Sequence, residues 1–123
     1  MVGVKRLAFA EWHLNEINSG SKQITLRKYR EGAHDFIEGE LVLAEFEIPD
    51  IGKATVALVM LADTEITTFV ELKDEAARED GFKDALDAFV QMTAPGAYYE
   101  DMGPDDPLAV VRFELAPIKL QGN

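Results

Sequence analysis

The side chains of this sequence best equipped for chemistry cluster near its beginning. Lys22, Arg27, Lys28 and Arg30 fall within nine residues. Such a density of cations reads either as a solvated strand edge or as a focused pocket for an anion. The planar fork of Arg27 suits a phosphate or a carbonyl oxygen, and it is equally able to close a structural ion pair with a nearby acid. Aromatic residues add a second capability. Trp12, Tyr29, Tyr98 and Tyr99 are candidates for stacking on a base, with core packing the first reading for Trp12. Other chemistries find no support. With no cysteine in the chain, disulfides, thiolate nucleophiles and cysteine-bound zinc are excluded. His13 and His34 have no ligand spacing with each other or with acids, so neither a metal site nor a cofactor is expected. No glycine-rich phosphate loop and no G-x-S-x-G elbow is present.

The charge balance sharpens the contrast. Twelve basic and 23 acidic residues give a net charge of −11, which argues against a protein that coats long nucleic acid. Residues 1–30 hold six basic and two acidic side chains, a net of +4, while residues 31–123 hold six basic and 21 acidic, a net of −15. A cationic segment therefore sits on an acidic body. The 123 residues and 47% hydrophobic content fit one domain, 1–123, with one core. No apolar run is long enough to span a membrane. The start, MVGVKRLAFAEWH, is interrupted by Glu11 and His13 before a signal-peptide core forms. A cytoplasmic location without membrane contact is the expectation.

Several elements must position these residues. Val4–Phe9 reads as a first strand. In Glu11–Asn18, Ala10, Leu14 and Ile17 share one helical face, and Gly20 stands where a left-handed terminator is wanted. Gln23–Tyr29 alternates, with Ile24 and Leu26 on one face and Thr25, Arg27 and Tyr29 on the other. Residues 31–39 read as a loop, Glu40–Ile48 as a strand, Pro49–Gly52 as a turn and Ala54–Leu61 as another strand. Thr67 or Thr68 caps a turn leading into a helix over Glu71–Asp80, which Gly81 ends. Phe82, Ala85, Leu86, Phe89 and Val90 have the spacing of an amphipathic helix packed on a core. Ala94–Pro107 is a proline- and glycine-bearing loop, and Leu108–Leu115 is the last strand. The order implies an α+β domain built on a small, mostly antiparallel curled sheet or barrel flanked by helices.

Three stretches share a pattern. Ile17, Gly20, Lys22, Thr25 and Arg27 fill an I-x-x-G-x-K-x-x-T-x-R motif. Glu75-Ala-Ala-Arg-Glu-Asp-Gly-Phe82 is similar to an E-x-A-R-x-E-G-F helix, read with a one-residue departure at Glu79-Asp80-Gly81. Pro107-Leu-Ala-Val-Val-Arg-Phe-Glu-Leu115 is in the style of D-P-L-x-V-I-x-F. Together, over about residues 5–116, the chain resembles the ASCH domain family. That resemblance implies a PUA-like β-barrel flanked by helices, with a cleft between barrel and helices. It also implies one of several functions: an RNA-binding module, a ribonuclease, or, as in small members, an amidohydrolase acting on N4-acylated cytidine.

The amidohydrolase members that this chain resembles use a lysine, a threonine and a glutamate, which fall on Lys22, Thr25 and Glu79. A threonine hydroxyl needs a neighbouring base. A lysine serves as that base only when nearby cations, here Arg27 and Lys28, or burial help it release its proton. A carboxyl group in the same cleft orients the base or protonates the leaving amine, so Glu79 is expected to face Lys22 and Thr25 across a pocket. Lys22 and Thr25 would point to opposite faces of a regular strand, and they converge only if Lys22 sits in the Gly20-Ser21 turn. Each residue also has a plain role: Thr25 as a β-former, Lys22 as a helix-terminal cation, Glu79 as a solvated helix residue. Their joint occurrence in the motifs decides for the site. Arg27, Lys28, Tyr29, Arg30, Tyr98 and Tyr99 are the expected ligand contacts, the ligand being a small nucleoside or a short single-stranded RNA. A nuclease has no histidine near the motif and would have to use Lys22, Arg27 and Tyr29.

Overall fold

In the first strand, alternate side chains set the pattern for the whole fold. Leu7 and Phe9 are buried while Arg6 and Ala8 are exposed, the signature of a strand with one face on a core. The structure is a computed structural model that describes residues 5–31, 36–37, 39–48 and 54–116. Its strands are β1 (Lys5–Phe9), β2 (Ile24–Lys28), β3 (Glu40–Ile48), β4 (Ala54–Thr67) and β5 (Leu108–Leu115). A 3₁₀ turn at Glu11–His13 leads into α1 (Leu14–Ser19), and α2 (Asp74–Glu79) and α3 (Ala85–Met92) lie between β4 and β5. The order across the five-stranded sheet is β1-β3-β4-β5-β2. Only the β1–β3 pair is parallel; the other three are antiparallel. This is an α+β fold on a mixed, curled sheet.

The curl is visible in one contact. β1 and β2 are the two outer strands of the sheet, yet the Arg27 guanidinium on β2 lies 4.7 Å from the centroid of the Phe9 ring on β1. A flat sheet would keep these edges about four strand spacings, nearly 20 Å, apart. Right-handed twist and curvature bring them together instead. Phe9 is also stacked on Phe46 and meets Phe113 edge-on, both at 5.6 Å between centroids, so the inside of the curl is an aromatic core.

β5 separates two cores. Ala109, Val111 and Phe113 join Val42, Ala44, Phe46 and Met60 inside the curl. Leu108 and Val110 turn the other way and pack with Ile24, Leu26, Ala76, Ala77 and Ala88 beneath α2 and α3. A strand buried on both faces must be apolar at nearly every position, which explains the unbroken Leu-Ala-Val-Val run.

Several expected boundaries shift. β4 continues to Thr67 rather than stopping at Leu61, because its last residues pair with Leu108–Leu115. Residues 71–73 stay outside the helix; Thr68 Oγ1 accepts from Glu71 N at 3.2 Å in a separate turn, and α2 starts at Asp74. α3 starts at Ala85, where the Asp84 carboxylate accepts from Asp87 N, as a capping residue should. Its buried stripe then runs through Ala85, Ala88, Phe89 and Met92. Leu86 and Val90, expected on the core, are 71% and 56% exposed. Gly20 does end α1 with φ 83°. The proposed turn at Pro49–Gly52, His34 and most of the 31–39 loop lie outside the described residues.

Core position should decide the cost of truncation. Phe46 is fully buried, so Phe46→Ala is expected to lose about 3–5 kcal/mol of stability in urea denaturation. Leu86→Ala, on the open face of α3, should change it by less than about 0.5 kcal/mol. A costly Leu86→Ala would place that face against an unrecognised partner.

Candidate functional site

Among the described residues β2 pairs only with β5, on one of its two edges. Tyr29 N donates to Pro107 O at 3.0 Å and Phe113 N donates to Gln23 O at 2.9 Å. Odd-numbered residues of β2 thus spend their backbone groups on β5, and even-numbered ones turn theirs to the other edge. The outward N–H of Leu26 is capped by Asp80, whose Oδ2 accepts it at 3.1 Å. Asp80 Oδ1 forms a close ion pair with Lys22 Nζ. Each of these two side chains is only 10% exposed, so the pairing offsets a desolvation cost of several kcal/mol per ion.

Local backbone geometry delivers both partners. Left-handed Gly20 turns the chain back after α1, and Lys22 N donates to Glu16 O at 3.0 Å. Lys22 therefore sits ahead of the strand, as convergence required. Asp80 follows the last residue of α2, its own N–H shared between the carbonyls of Ala76 and Ala77, and Gly81 N donates to Arg78 O. Gly81, at φ 94°, takes the chain away in a conformation that L-residues avoid. Among the described residues, Lys22 and Thr25 are the buried polar or charged ones.

Thr25 and Arg27 project to the face opposite Ile24 and Leu26, into the space between the two sheet edges. Arg27 Nε donates to Thr25 Oγ1 at 3.4 Å, a long hydrogen bond. Among the described residues no carboxylate lies within ion-pair distance of Arg27. Burial pushes its pKa below the usual arginine value, while Tyr99, Asp80 and Tyr98 act against that shift and Arg30 adds to it. A guanidinium nevertheless stays charged. Around this pair opens a cleft of about 1070 Å³. Thr25, Arg27, Lys28 and Arg30 line it from β2 and just beyond, Tyr98 and Tyr99 from the loop after α3, and Trp12 from the 3₁₀ turn. Lys28 Nζ is 4.0 Å from Asp101 Oδ1, a loose surface pair.

Three expectations need correction. Glu79 does not face Lys22 or Thr25: it pairs with Arg112 at 2.6 Å, both side chains about half exposed. That pair borders a separate depression of about 430 Å³ beside Gln23. Consecutive residues leave a helix about 100° apart, so the neighbour of Glu79 points where Glu79 was expected. Asp80 is the residue sequence reasoning missed, and a signal for it existed. The pattern E-x-A-R-x-E-G-F has its acid directly before glycine, and Asp80 holds that place; matching by residue type instead of spacing chose Glu79. Trp12 is not in the core but 73% exposed at the cleft rim. Tyr29 packs partly buried against the inner core and does not line the cleft. No hydrogen bond joins Lys22 and Thr25: Lys22 holds Asp80, which also accepts from Leu26 N, and of these side chains only Thr25 lines the cleft. Among the described residues no group of acids and histidines could hold a metal ion, and no helix is long and apolar enough to cross a membrane.

No protein-family model and no curated protein sequence matches this chain. Its fold is similar to the crystal structure of protein EF3133 from Enterococcus faecalis V583, described by the family model DUF984. The likeness has a TM-score of 0.56 over 99% of this chain and 88% of that one, at 16% sequence identity. At that identity the likeness concerns the fold.

Removing the Asp80 charge by Asp80→Ala leaves Lys22 buried without its partner and should cost about 3–5 kcal/mol of stability. Glu79→Ala removes only an exposed ion pair and should cost less than about 1 kcal/mol. Urea denaturation of the two variants side by side checks the assignment, and a reversed order of cost would return Glu79 to the site.

Proposed function

We propose that this chain is an ASCH-like, PUA-like barrel protein whose cleft binds a nucleoside or short RNA-derived ligand. Its reaction is the hydrolysis of an amide on that ligand, such as the acyl amide of an N4-acylated cytidine. The observation that carries this reading is where the buried polarity lies. Lys22 and Thr25 are the two buried polar residues among the described ones; Thr25 lines the cleft, and Lys22 holds Asp80, which also accepts from the backbone of Leu26, the neighbour of Thr25. Buried polar groups are costly unless they are paired or put to use.

The chemistry follows from the roles these groups can take. Thr25 Oγ1 adds to the acyl carbon, and its proton passes to Lys22. Lys22 relays that proton to Asp80, the acid in contact with it. Arg27, beside Thr25 Oγ1, supports the negative charge that develops on the carbonyl oxygen. The C–N bond then breaks, and the amine leaves with the proton that Lys22 returns. Water cleaves the resulting threonine ester, releasing the carboxylic acid and restoring the hydroxyl. Asp80 thus takes the part expected of Glu79.

The overall charge of −11 favours a small ligand over a long polyanion, which the acidic body would repel. The alternative, a noncatalytic RNA-binding module, draws on the same Arg27, Lys28 and Arg30 wall.

Purified protein incubated with N4-acetylcytidine and other N-acylated nucleosides should release acid and free amine, detected by mass spectrometry. Thr25→Val and Lys22→Ala are expected to lower the rate at least about 100-fold while circular dichroism stays unchanged, as loss of a nucleophile or base does. Lys22→Arg should fail as well, because guanidinium does not give up its proton. No turnover on any acylated nucleoside, with salt-sensitive binding of a short RNA, would replace the hydrolase with the binding module.

A further inference from the structure

The exposed large hydrophobic side chains beside the cleft are aromatic and come from separate elements. Trp12, 73% exposed, stands on the 3₁₀ turn after β1, a turn that buries none of its own residues. Tyr98, 89% exposed, stands in the loop after α3. Both border the same cleft as Thr25 and Arg27. A tryptophan placed so openly forgoes the large stabilisation that burying its ring would give, which points to a use outside the core.

Each ring is braced from behind. Trp12 leans on the His13 ring, 5.7 Å away, and His13 meets Phe9 edge-on at 6.5 Å. His13 is held by Glu16, 2.9 Å from Nδ1, and Phe9 is the ring under Arg27. A ledge of rings therefore runs from the rim to the guanidinium at the cleft floor. On the loop side, Tyr98 packs edge-on against Tyr99, 5.0 Å away at 86°, and Tyr99 packs partly buried on the core beneath α2 and α3. Supported rings lose little further freedom on binding, a condition for useful stacking.

We propose that Trp12 and Tyr98 form an aromatic clamp for one planar heteroaromatic ring, and that this clamp sets the specificity of the cleft. Resting on the nucleoside reading above, the assignment names the part of the ligand that is recognised: the base, held by its faces, with the group that reacts directed inward toward Thr25 and Arg27. Stacking contributes to holding the ligand and not to the chemical step, because the rings touch no reacting atom. Trp12 is thus a specificity residue, and a ligand with the same amide but no ring should lack its benefit.

Trp12 is the only tryptophan of the chain, so its emission reports the clamp directly. In the intact protein, excited where tyrosine does not absorb, cytidine and N4-acetylcytidine should quench that emission saturably. Ribose 5-phosphate and N-acetylethanolamine, which have no aromatic ring, should not. In equilibrium dialysis, Trp12→Ala should weaken nucleoside binding roughly five- to 150-fold, the range of base–aromatic stacking, and Trp12→Phe should restore much of it. Tyr98→Ala should weaken it in the same direction. If acylated nucleosides are hydrolysed while Trp12 emission and the Trp12→Ala KM stay unchanged, the clamp is wrong and the hydrolase stands. If the ring compounds quench saturably but none is hydrolysed, the clamp stands and the reaction falls. If no ring compound binds or quenches, both are overturned.

Discussion

The contact between Lys22 and Asp80 ties the helix layer to the outer edge of the sheet. One carboxylate meets an ammonium arriving from the α1–β2 turn and a backbone N–H at the edge of β2 away from β5. Through it the end of α2 is tied to a strand with which it shares no sheet hydrogen bonds. The interaction has few substitutes. An unpaired edge N–H, a buried lysine and a buried aspartate are each unfavourable alone, and together they satisfy one another. Its energetic meaning is specificity of arrangement more than added stability, since an apolar pair of similar volume could hold the two elements as well.

The sheet contributes by curling. Its outer strands would be far apart in a flat sheet, and their approach creates the space in which Thr25, Arg27 and Phe9 meet. α2 and α3 do not line that space; they cover the opposite face through Ile24, Leu26, Leu108 and Val110, while Leu14 and Ile17 of α1 pack on the inner core. β2 accordingly has two duties divided by parity. Ile24 and Leu26 secure the helix layer, and Thr25 and Arg27 face the cleft, with the backbone edge left for Asp80. Among the described residues Arg27 has no carboxylate within ion-pair distance despite its partial burial, which disposes it toward an incoming oxygen or anion. Lys28, by contrast, has Asp101 as a loose neighbour.

Much of this was legible in the residues. Alternation in Gln23–Tyr29 separated Ile24 and Leu26 from Thr25 and Arg27 correctly, because period-two burial is imposed by the strand itself. Gly20 announced the turn that brings Lys22 ahead of the strand. What escaped were features decided by neighbours far along the chain. β4 is longer than its apolar run since β5 pairs with its polar end. The stripe of α3 is rotated from Leu86 and Val90 toward Ala88 and Met92, since either side of so apolar a helix would satisfy periodicity. Trp12 looked like core because large rings usually are, and its chain neighbours carry no record of the cleft it borders. Glu79 and Asp80 are adjacent acids, and only the exit direction from α2 distinguishes a solvent-facing partner of Arg112 from the counter-ion of Lys22.

A double-mutant cycle tests the central claim, that Lys22 and Asp80 act as one unit. Lys22→Met, Asp80→Asn and the pair are compared with the parent by urea denaturation. Direct pairing predicts that the double variant loses less stability than the two single losses combined, with a coupling of at least about 1 kcal/mol, as for contacting residues in one ion-pair network. Effects that add to within about 0.5 kcal/mol would mean that the two side chains are independent, and the site assembled around Asp80 would have to be abandoned.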